Sequence, residues 1–201
     1  IYGDSIYFDR NKNFASATNN IRLIDTLNNS FVSGHYAEVF KEKDSVFITK
    51  RAVAITVRDN DSIYVHADTL RITGKADNRI LRGYYKARFF KKGLPGEEPT
   101  SGKCDSIYVN EKTGITKLLR KPILWTGENQ MTGDTIHLLR NIETSKLDTL
   151  KVFKNAFIIQ KDSAGYNQVK GERLIGLFTN NELDTINIEK NTQVIFFSRN
   201  E

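Results

Sequence analysis

A short phrase recurs along this chain and restricts what the chain can fold into. Each copy begins with Asp, continues with Ser or Thr, and places an apolar residue at its third and fifth positions. This alternation has the period of a β-strand with one buried face. We call it the Asp-Ser/Thr phrase; complete copies begin at Asp4, Asp44, Asp61, Asp105, Asp134, Asp148 and Asp184, and partial or overlapping copies begin at Asp25 and Asp68.

The two polar residues that open the phrase suit the entry to a strand. Their side chains accept hydrogen bonds from backbone N–H groups in the turn that precedes strand pairing. The distance between copies varies from under ten to almost forty residues, which does not match a solenoid repeat of fixed length. We therefore predict a series of similar strands that are joined by loops of different length.

The length of the chain and its weak helical signals favour one all-β domain. With 201 residues, of which 39% are hydrophobic, the chain is long enough for a substantial core, and we expect one continuous domain over residues 1–201. A Gly-, Pro-, Ser- and Thr-rich stretch near residues 92–103 predicts an exposed loop insertion. The best helical candidate, residues 168–178, contains two glycines, so we predict little helix.

Targeting and redox signals are sparse. No apolar run approaches the roughly 18 residues of a membrane span. Because Ile1 is not a natural start, we expect a trimmed or mature fragment whose targeting segment is missing. Cys104 is the single cysteine, so no internal disulfide can form, and we interpret it as a half-buried structural thiol.

The sequence contains no motif of catalysis, metal binding or cofactor binding. His35, His66 and His137 are scattered without the spacing of a zinc site, and the repeated aspartates match no calcium-binding loop. A nucleophile elbow, a phosphate-binding loop of the Walker type and a dinucleotide-binding glycine motif are all missing. We predict that the protein is not an enzyme and uses neither a metal nor a cofactor.

The net charge of +6 is a weak indication of an anionic partner. Lys and Arg number 30 against 24 for Asp and Glu, and the excess gathers in residues 86–92 and 117–121. Such clusters are most often solvated strand faces or protection of a sheet edge. A nucleic-acid binder would use aromatic side chains among these cations to stack bases, here Tyr84, Tyr85, Phe89 and Phe90. Because the basic excess is small, we predict no nucleic-acid partner.

An ordered series of motifs resembles the OstA-like proteins of Bacteroidetes-type Gram-negative bacteria, which are relatives of LptA, the periplasmic lipopolysaccharide-transport component. The resemblance covers most of the chain from about Leu23 to Phe197. The motifs that carry it are residues 67–70 (Ala-Asp-Thr-Leu), 102–106, 122–125 (Pro-Ile-Leu-Trp), 129–136 (Asn-Gln-Met-Thr-Gly-Asp-Thr-Ile), 166–171, 176–178 and 180–183, with Asn191.

The resemblance implies a β-jellyroll shaped like a taco shell, with two facing antiparallel sheets whose apolar interior holds lipid acyl chains. It also implies a periplasmic location, lipopolysaccharide as ligand through its lipid A acyl chains, and a role in moving it to the outer membrane. Expected partners are other transport proteins with jellyroll domains and further copies of this chain stacked end to end. We therefore expect the interior to be lined by Ile63, Val65, Ile107, Val109, Ile136, Leu138, Leu150 and Val152.

Cations at the rim of such an interior could bind the lipid phosphates. The sequence offers Lys86, Arg88, Lys91 and Lys92 for this role. A second hypothesis stays open, namely a structural or interaction module of the cell envelope, which would show the same strands around a solidly packed interior without a lipid ligand.

Overall fold

The computed structural model describes residues 1–26, 29–58, 61–75, 78–163, 165–179 and 182–197, and they form fifteen β-strands. Among these residues the helical structure is one 3₁₀ turn, Lys41–Lys43. The strands are β1 (Ser5–Asp9), β2 (Phe14–Asp25), β3 (Ser30–Phe40), β4 (Ser45–Arg58), β5 (Asp61–Thr73), β6 (Ile80–Lys91), β7 (Thr100–Asn110), β8 (Ile115–Leu119), β9 (Ile123–Thr126), β10 (Asn129–Thr132), β11 (Thr135–Arg140), β12 (Leu147–Asp162), β13 (Gly165–Thr179), β14 (Glu182–Glu189) and β15 (Gln193–Ile195).

The strands form one antiparallel meander in chain order. β1 to β7 pair successively, and most of the later short strands lie end to end in couples that pair with the same long strand. β8 and β9 both pair with β7, β10 and β11 both pair with β12, and β14 and β15 both pair with β13. Each couple is thus one long strand with an interruption. The predicted all-β jellyroll class with little helix is confirmed.

The interruptions follow a regular pattern. Two consecutive residues with positive φ occur in every second long strand, where the register of pairing shifts. These pairs are Asn19-Asn20, Lys50-Arg51, Tyr85-Lys86, Arg120-Lys121, Lys154-Asn155 and Lys190-Asn191, and they recur every 31 to 36 residues. Such a double kink redirects the strand, as a β-bulge does. We call these six positions the corners.

The strand opposite each corner carries a small residue followed by a polar one, an acid in five of six cases. These dipeptides are Gly3-Asp4, Gly34-His35, Ala67-Asp68, Cys104-Asp105, Gly133-Asp134 and Gly171-Glu172. The small residue is needed for space. A Cβ atom on Gly133 would lie 2.3 Å from Cγ1 of Val152, and one on Gly171 would lie 2.3 Å from Cγ2 of Ile188.

The acids hold the strained residues of the corner in place. The side chains of Asn20 and Asn155 donate hydrogen bonds to Asp4 and Asp134 over 2.9 and 3.1 Å. Lys86 Nζ lies 3.6 Å from Asp68 Oδ2, and Arg120 donates to Asp105 over 2.9 Å. A left-handed conformation costs a residue other than glycine roughly 1–2 kcal/mol, and these contacts offset part of that cost.

Bending at the corners folds the single sheet onto itself, so that two walls face each other. Wall A contains β1, β8, β11 and β14 with residues 14–18, 36–40, 45–49, 69–73, 80–84, 106–110, 147–153 and 173–179. Wall B contains β9, β10 and β15 with residues 21–25, 30–33, 52–58, 61–66, 87–91, 100–103, 156–162 and 165–170. The expectation of two facing sheets therefore holds, although a continuous ladder joins them.

The core is narrow at the corners and unevenly filled along the meander. Buried alanines line the corner, where the walls meet most closely: Ala17, Ala37, Ala52, Ala67, Ala87 and Ala156. Toward the C-terminal strands the larger side chains pack without exposure: Leu118, Ile136, Leu150, Val152 and Leu174 of wall A, and Leu124, Met131 and Ile158 of wall B. The interior at β8 to β13 is consequently solid near the corner.

Several local predictions can be placed on this fold. The loop around Pro95 covers residues 92–99, because Thr100 to Lys103 already pair with β6 and β9. The weak helical candidate at 168–178 lies inside β13. Residues 59–60, and residues 180–181 of the 180–183 motif, lie outside the described residues. Within the described part of the chain no helix is long and apolar enough to cross a membrane.

The corner at Asp105 predicts a stability that depends on pH. A hydrogen bond from Ser106, and then the Arg120 guanidinium, hold the pKa of the Asp105 carboxyl below its ordinary value. A carboxyl whose pKa is lower in the folded chain stabilises the fold above its unfolded pKa, and the contribution is lost as the pH falls through the folded pKa. Asp105→Asn should therefore lower stability at about pH 7 and matter less at about pH 3.

Urea unfolding of Asp105→Asn, Arg120→Gln and the double variant would measure this coupling. We expect a coupling free energy at neutral pH that shrinks in acid. A coupling that is the same at both pH values would contradict the role of the Asp105 charge.

Candidate functional site

The two walls meet at the corners and separate toward the opposite margin, which we call the mouth. Two cavities lie between the walls in the half of the meander formed by β2 to β8 and β11. The first has a volume of about 170 Å³, and its apolar lining comes from both walls: Ala54, Ile63, Val65 and Phe89 from wall B, and Leu81, Ile107, Val109 and Leu138 from wall A. Leu147, near the start of β12, also lines it.

The second cavity is larger and lies closer to the N-terminal strands. It has a volume of about 470 Å³ and is bounded by Leu23, Val32 and Ala54 of wall B and by Val39, Val46, Ile72 and Leu81 of wall A. This volume falls within the range of small-molecule sites. Because Ala54, Thr56, Leu81 and Glu111 line both cavities, the two are neighbouring parts of one groove.

The eight residues expected to line the interior all face inward, but they divide into two groups. Five of them line the first cavity: Ile63, Val65, Ile107, Val109 and Leu138. The other three, Ile136, Leu150 and Val152, are fully buried in the solid part of the core and line neither cavity. Their role in holding a ligand stays a prediction, and their packing contributes to the fold.

The four expected rim cations lie in different places. Lys91, at the end of β6, lines the first cavity at the mouth. Lys86 lies at a corner, on the far side of the sheet from the mouth, and pairs with Asp68. Arg88 is exposed on the outer face of wall B, and Lys92 is exposed in the loop after β6. The structure thus brings one of the four to the groove.

Other charged residues surround the mouth. Lys41, Lys75 and Arg79 border the second cavity together with Asp25, Asp44 and Glu111. Arg140 borders the first cavity together with Glu98 and Glu111. Arg140 donates to the hydroxyl of Ser145 over 3.2 Å. These residues lie in turns or at strand ends, where no alternation marks them. These four cations share one position: each lies next to a strand of wall A or is its last residue, at the end away from the corner.

One ion pair joins the walls across the mouth. The guanidinium of Arg79, just before β6 in wall A, contacts the carboxylate of Asp25 at the end of β2 in wall B. Both side chains are partly buried, with 21% and 31% of their surface exposed. The pair bounds the second cavity and ties two strand ends that are 54 residues apart.

Cys104 lies at the inner side of a corner and provides a probe of the interior. It is buried opposite Ala87, and its Sγ–H donates to the Ser106 carbonyl over 3.1 Å. Burial raises the pKa of the Cys104 thiol to about 11. The thiol is therefore neutral near neutral pH and inert as a nucleophile. The thiol is thus more deeply buried than the half-buried structural thiol that the sequence predicts.

The arrangement has the features that suit an amphiphile. Aliphatic walls favour a hydrocarbon, and the charged mouth favours a polar group beside it. Within the described ranges no three His, Cys, Asp or Glu side chains come together as a metal site. The chemistry of the groove is thus burial of apolar surface with an ionic border.

Comparison with known proteins identifies the fold. No protein-family model matches the sequence, and no curated protein matches it. Among solved structures the chain is similar to LptH from Pseudomonas aeruginosa, described as the LptA homologous periplasmic component of the lipopolysaccharide transport device. The TM-score is 0.53 at 10% identity, and the match covers 88% of this chain and 100% of that one. The chain therefore has an LptA-like fold.

The buried thiol leads to a test of the corner. Cys104 in the folded protein should not react with a thiol-specific reagent at about pH 8, because the thiol is neutral and enclosed. After unfolding in urea it should react at the rate of a free cysteine. Rapid labelling of the folded protein would show that this corner is open.

The ion pair at the mouth leads to a second test. Arg79→Gln should speed entry of an apolar fluorescent probe into the groove, because it removes the contact between the walls. We expect a loss of unfolding free energy of about 1 kcal/mol or less, as is typical of partly exposed ion pairs. Arg173→Gln is the matched control, since it breaks the pair with Glu189 outside the groove. Equal entry rates for both variants would contradict the role of the mouth contact.

Proposed function

We propose that this protein holds the acyl chains of lipopolysaccharide between walls A and B and helps to move the lipid across the periplasm to the outer membrane. The observation that carries the proposal is the groove: two adjoining cavities with aliphatic walls, bordered at the mouth by Lys41, Lys75, Arg79 and Lys91. The LptA-like fold supports the same function, because the similar LptH is a component of lipopolysaccharide transport.

Binding in this proposal is passive and driven by apolar burial. Each methylene group that leaves water contributes about 0.8 kcal/mol, so an acyl chain in the groove gains several kcal/mol. The acyl chain would lie in the first cavity, between Val65 and Phe89 of wall B on one side and Val109 and Leu138 of wall A on the other. Lys91, Arg140 and the cations of the second cavity would then meet the lipid phosphates.

Partners in this proposal bind at the ends of the meander. Residues 1–201 act as one unit whose first and last strands, β1 and the β14–β15 couple, each have one described neighbour. These edges expose Ile6, Phe8, Val194 and Ile195. An unpaired edge is a template for another strand, so other jellyroll transport proteins or a second copy of this chain could extend the groove.

The alternative function, a structural or interaction module without a lipid ligand, has one observation in its favour. The interior between β8 and β13 is filled by fully buried side chains such as Leu118, Leu124 and Ile136. If the groove of the N-terminal half closes in the same way in solution, no acyl chain can enter, and the test below distinguishes the two functions.

A photoreactive residue introduced at Val109 or at Leu138 should crosslink to lipopolysaccharide, because both side chains line the first cavity. The matched control is Leu139, the neighbour of Leu138 whose side chain faces outward from the same strand. We expect crosslinks from the two cavity positions and few from Leu139, detected by mass shift and by antibody against the lipid.

Crosslinks from both faces at similar yield would indicate binding outside the groove. No crosslink from either cavity position, in protein that is shown to be folded, would contradict lipid carriage and favour the structural alternative.

A further inference from the structure

A line of cations crosses the outer face of wall A. Arg71, Arg82, Lys117 and Lys151 occupy the same row of cross-strand neighbours, together with Tyr108 and His137. The row runs over six adjacent strands: β5, β6, β7, β8, β11 and β12. Because neighbouring strands lie about 4.8 Å apart, the row is roughly 24 Å long. We call it the cationic row.

Among the described residues, the cationic row and the two rows that flank it contain no acid. Asp105 and Asp148 lie just beyond the flanking rows, where they accept hydrogen bonds from Ser106 and Thr149. The two flanking rows, from Thr69 to Phe153 and from Thr73 to Thr149, consist of Thr, Ser, Asn, Tyr, Phe, Leu and Ile among the described residues. In the row itself Glu38 is the nearest acid, and it lies two strands beyond Arg71. These three rows therefore contain four cations and no acid, and their net charge is positive.

The arrangement costs stability that the fold does not require. Arg71 is directly opposite Arg82, and like charges in that position destabilise a sheet. His137 lies between Lys117 and Lys151; burial, and then these two cations, lower the pKa of its imidazole. Neutral or acidic residues at these solvent-facing positions would relieve the repulsion between the cations. A bound anion would relieve it as well, which would explain why cations occupy the row.

Tyr108 orders the middle of the row. The guanidinium of Arg82 and the ammonium of Lys117 lie 5.4 and 5.7 Å from the centre of its ring, on cation–π contacts. The Asn110 side chain donates to its hydroxyl over 3.1 Å, which fixes the ring. The two cations are thus held at fixed positions with their charges toward solvent.

We propose that the cationic row binds a linear acidic polysaccharide that lies across the strands. The row is one residue wide, so it matches a chain with regularly spaced carboxylates. A membrane would be better matched by cations in the flanking rows as well, and a nucleic acid would need exposed rings for base stacking. In this row the one tyrosine already faces two cations, and the flanking rows add a single exposed ring, Tyr84. The site is on the opposite side of wall A from the groove.

The test compares two variants of equal net charge. Arg71→Gln/Lys117→Gln/Lys151→Gln removes three members of the row, and Lys12→Gln/Lys112→Gln/Lys170→Gln removes three exposed lysines elsewhere. The probe is polygalacturonate, with neutral dextran as the uncharged control. We expect the first variant to bind polygalacturonate about tenfold more weakly than the second, and binding by the unsubstituted protein to weaken as salt rises.

An NMR measurement distinguishes binding at the cationic row from a general effect of the protein's net charge. Bound polygalacturonate should raise the pKa of His137, because the carboxylates of the polysaccharide offset the charges of Lys117 and Lys151. An NMR titration would measure this pKa. The proposal would be overturned if both variants lost the same affinity for polygalacturonate or if the titration of His137 did not change. Tighter binding to anionic vesicles or single-stranded DNA than to polygalacturonate would also overturn it. The row variant should keep its lipid crosslinking at Val109, so failure of one site is distinguishable from failure of the other.

Discussion

The close approach of the strands at the corners is the constraint on which the rest of the structure depends. A sheet of this many strands would otherwise continue as an open, twisted surface with both faces wet. At each corner two residues in the left-handed conformation face a strand that offers almost no side chain on the inside, as at Gly133 and Gly171. The sheet can therefore close on one side and remain open on the other, which is the geometry that a groove with a mouth requires.

Packing along the meander changes from solid to hollow, and side-chain size explains the change. Near β10 to β13 the opposing positions are large on both walls, with Met131 and Ile158 facing the aliphatic rows of wall A. Near β4 and β5, wall B offers Ala54 and Val65 instead, and the cavities begin there. The same alternation of apolar residues thus yields a solid core at one end and an open groove at the other.

The alternation in the sequence identifies which side chains face inward, and Ile63, Val109 and Leu138 follow that prediction. It cannot assign a strand to a wall, because the Asp-Ser/Thr phrase occurs both at a corner, as at Asp105, and at a strand end, as at Asp148. The phrase looks the same locally, while its position depends on pairing with distant strands. The sequence predicts Lys86 at the rim because a run of cations does not reveal that a corner lies within it.

The nearly constant interval between corners has a consequence for how such a protein can vary. Each stretch of about three dozen residues supplies one bend, one outgoing strand and one returning strand, and it contacts mainly the stretch before and the stretch after. A whole unit could be gained or lost without altering the cross-section of the groove, as in repeat proteins whose units contact only their neighbours. Duplication of one unit within the gene would thus lengthen the groove by a fixed step and leave its width unchanged.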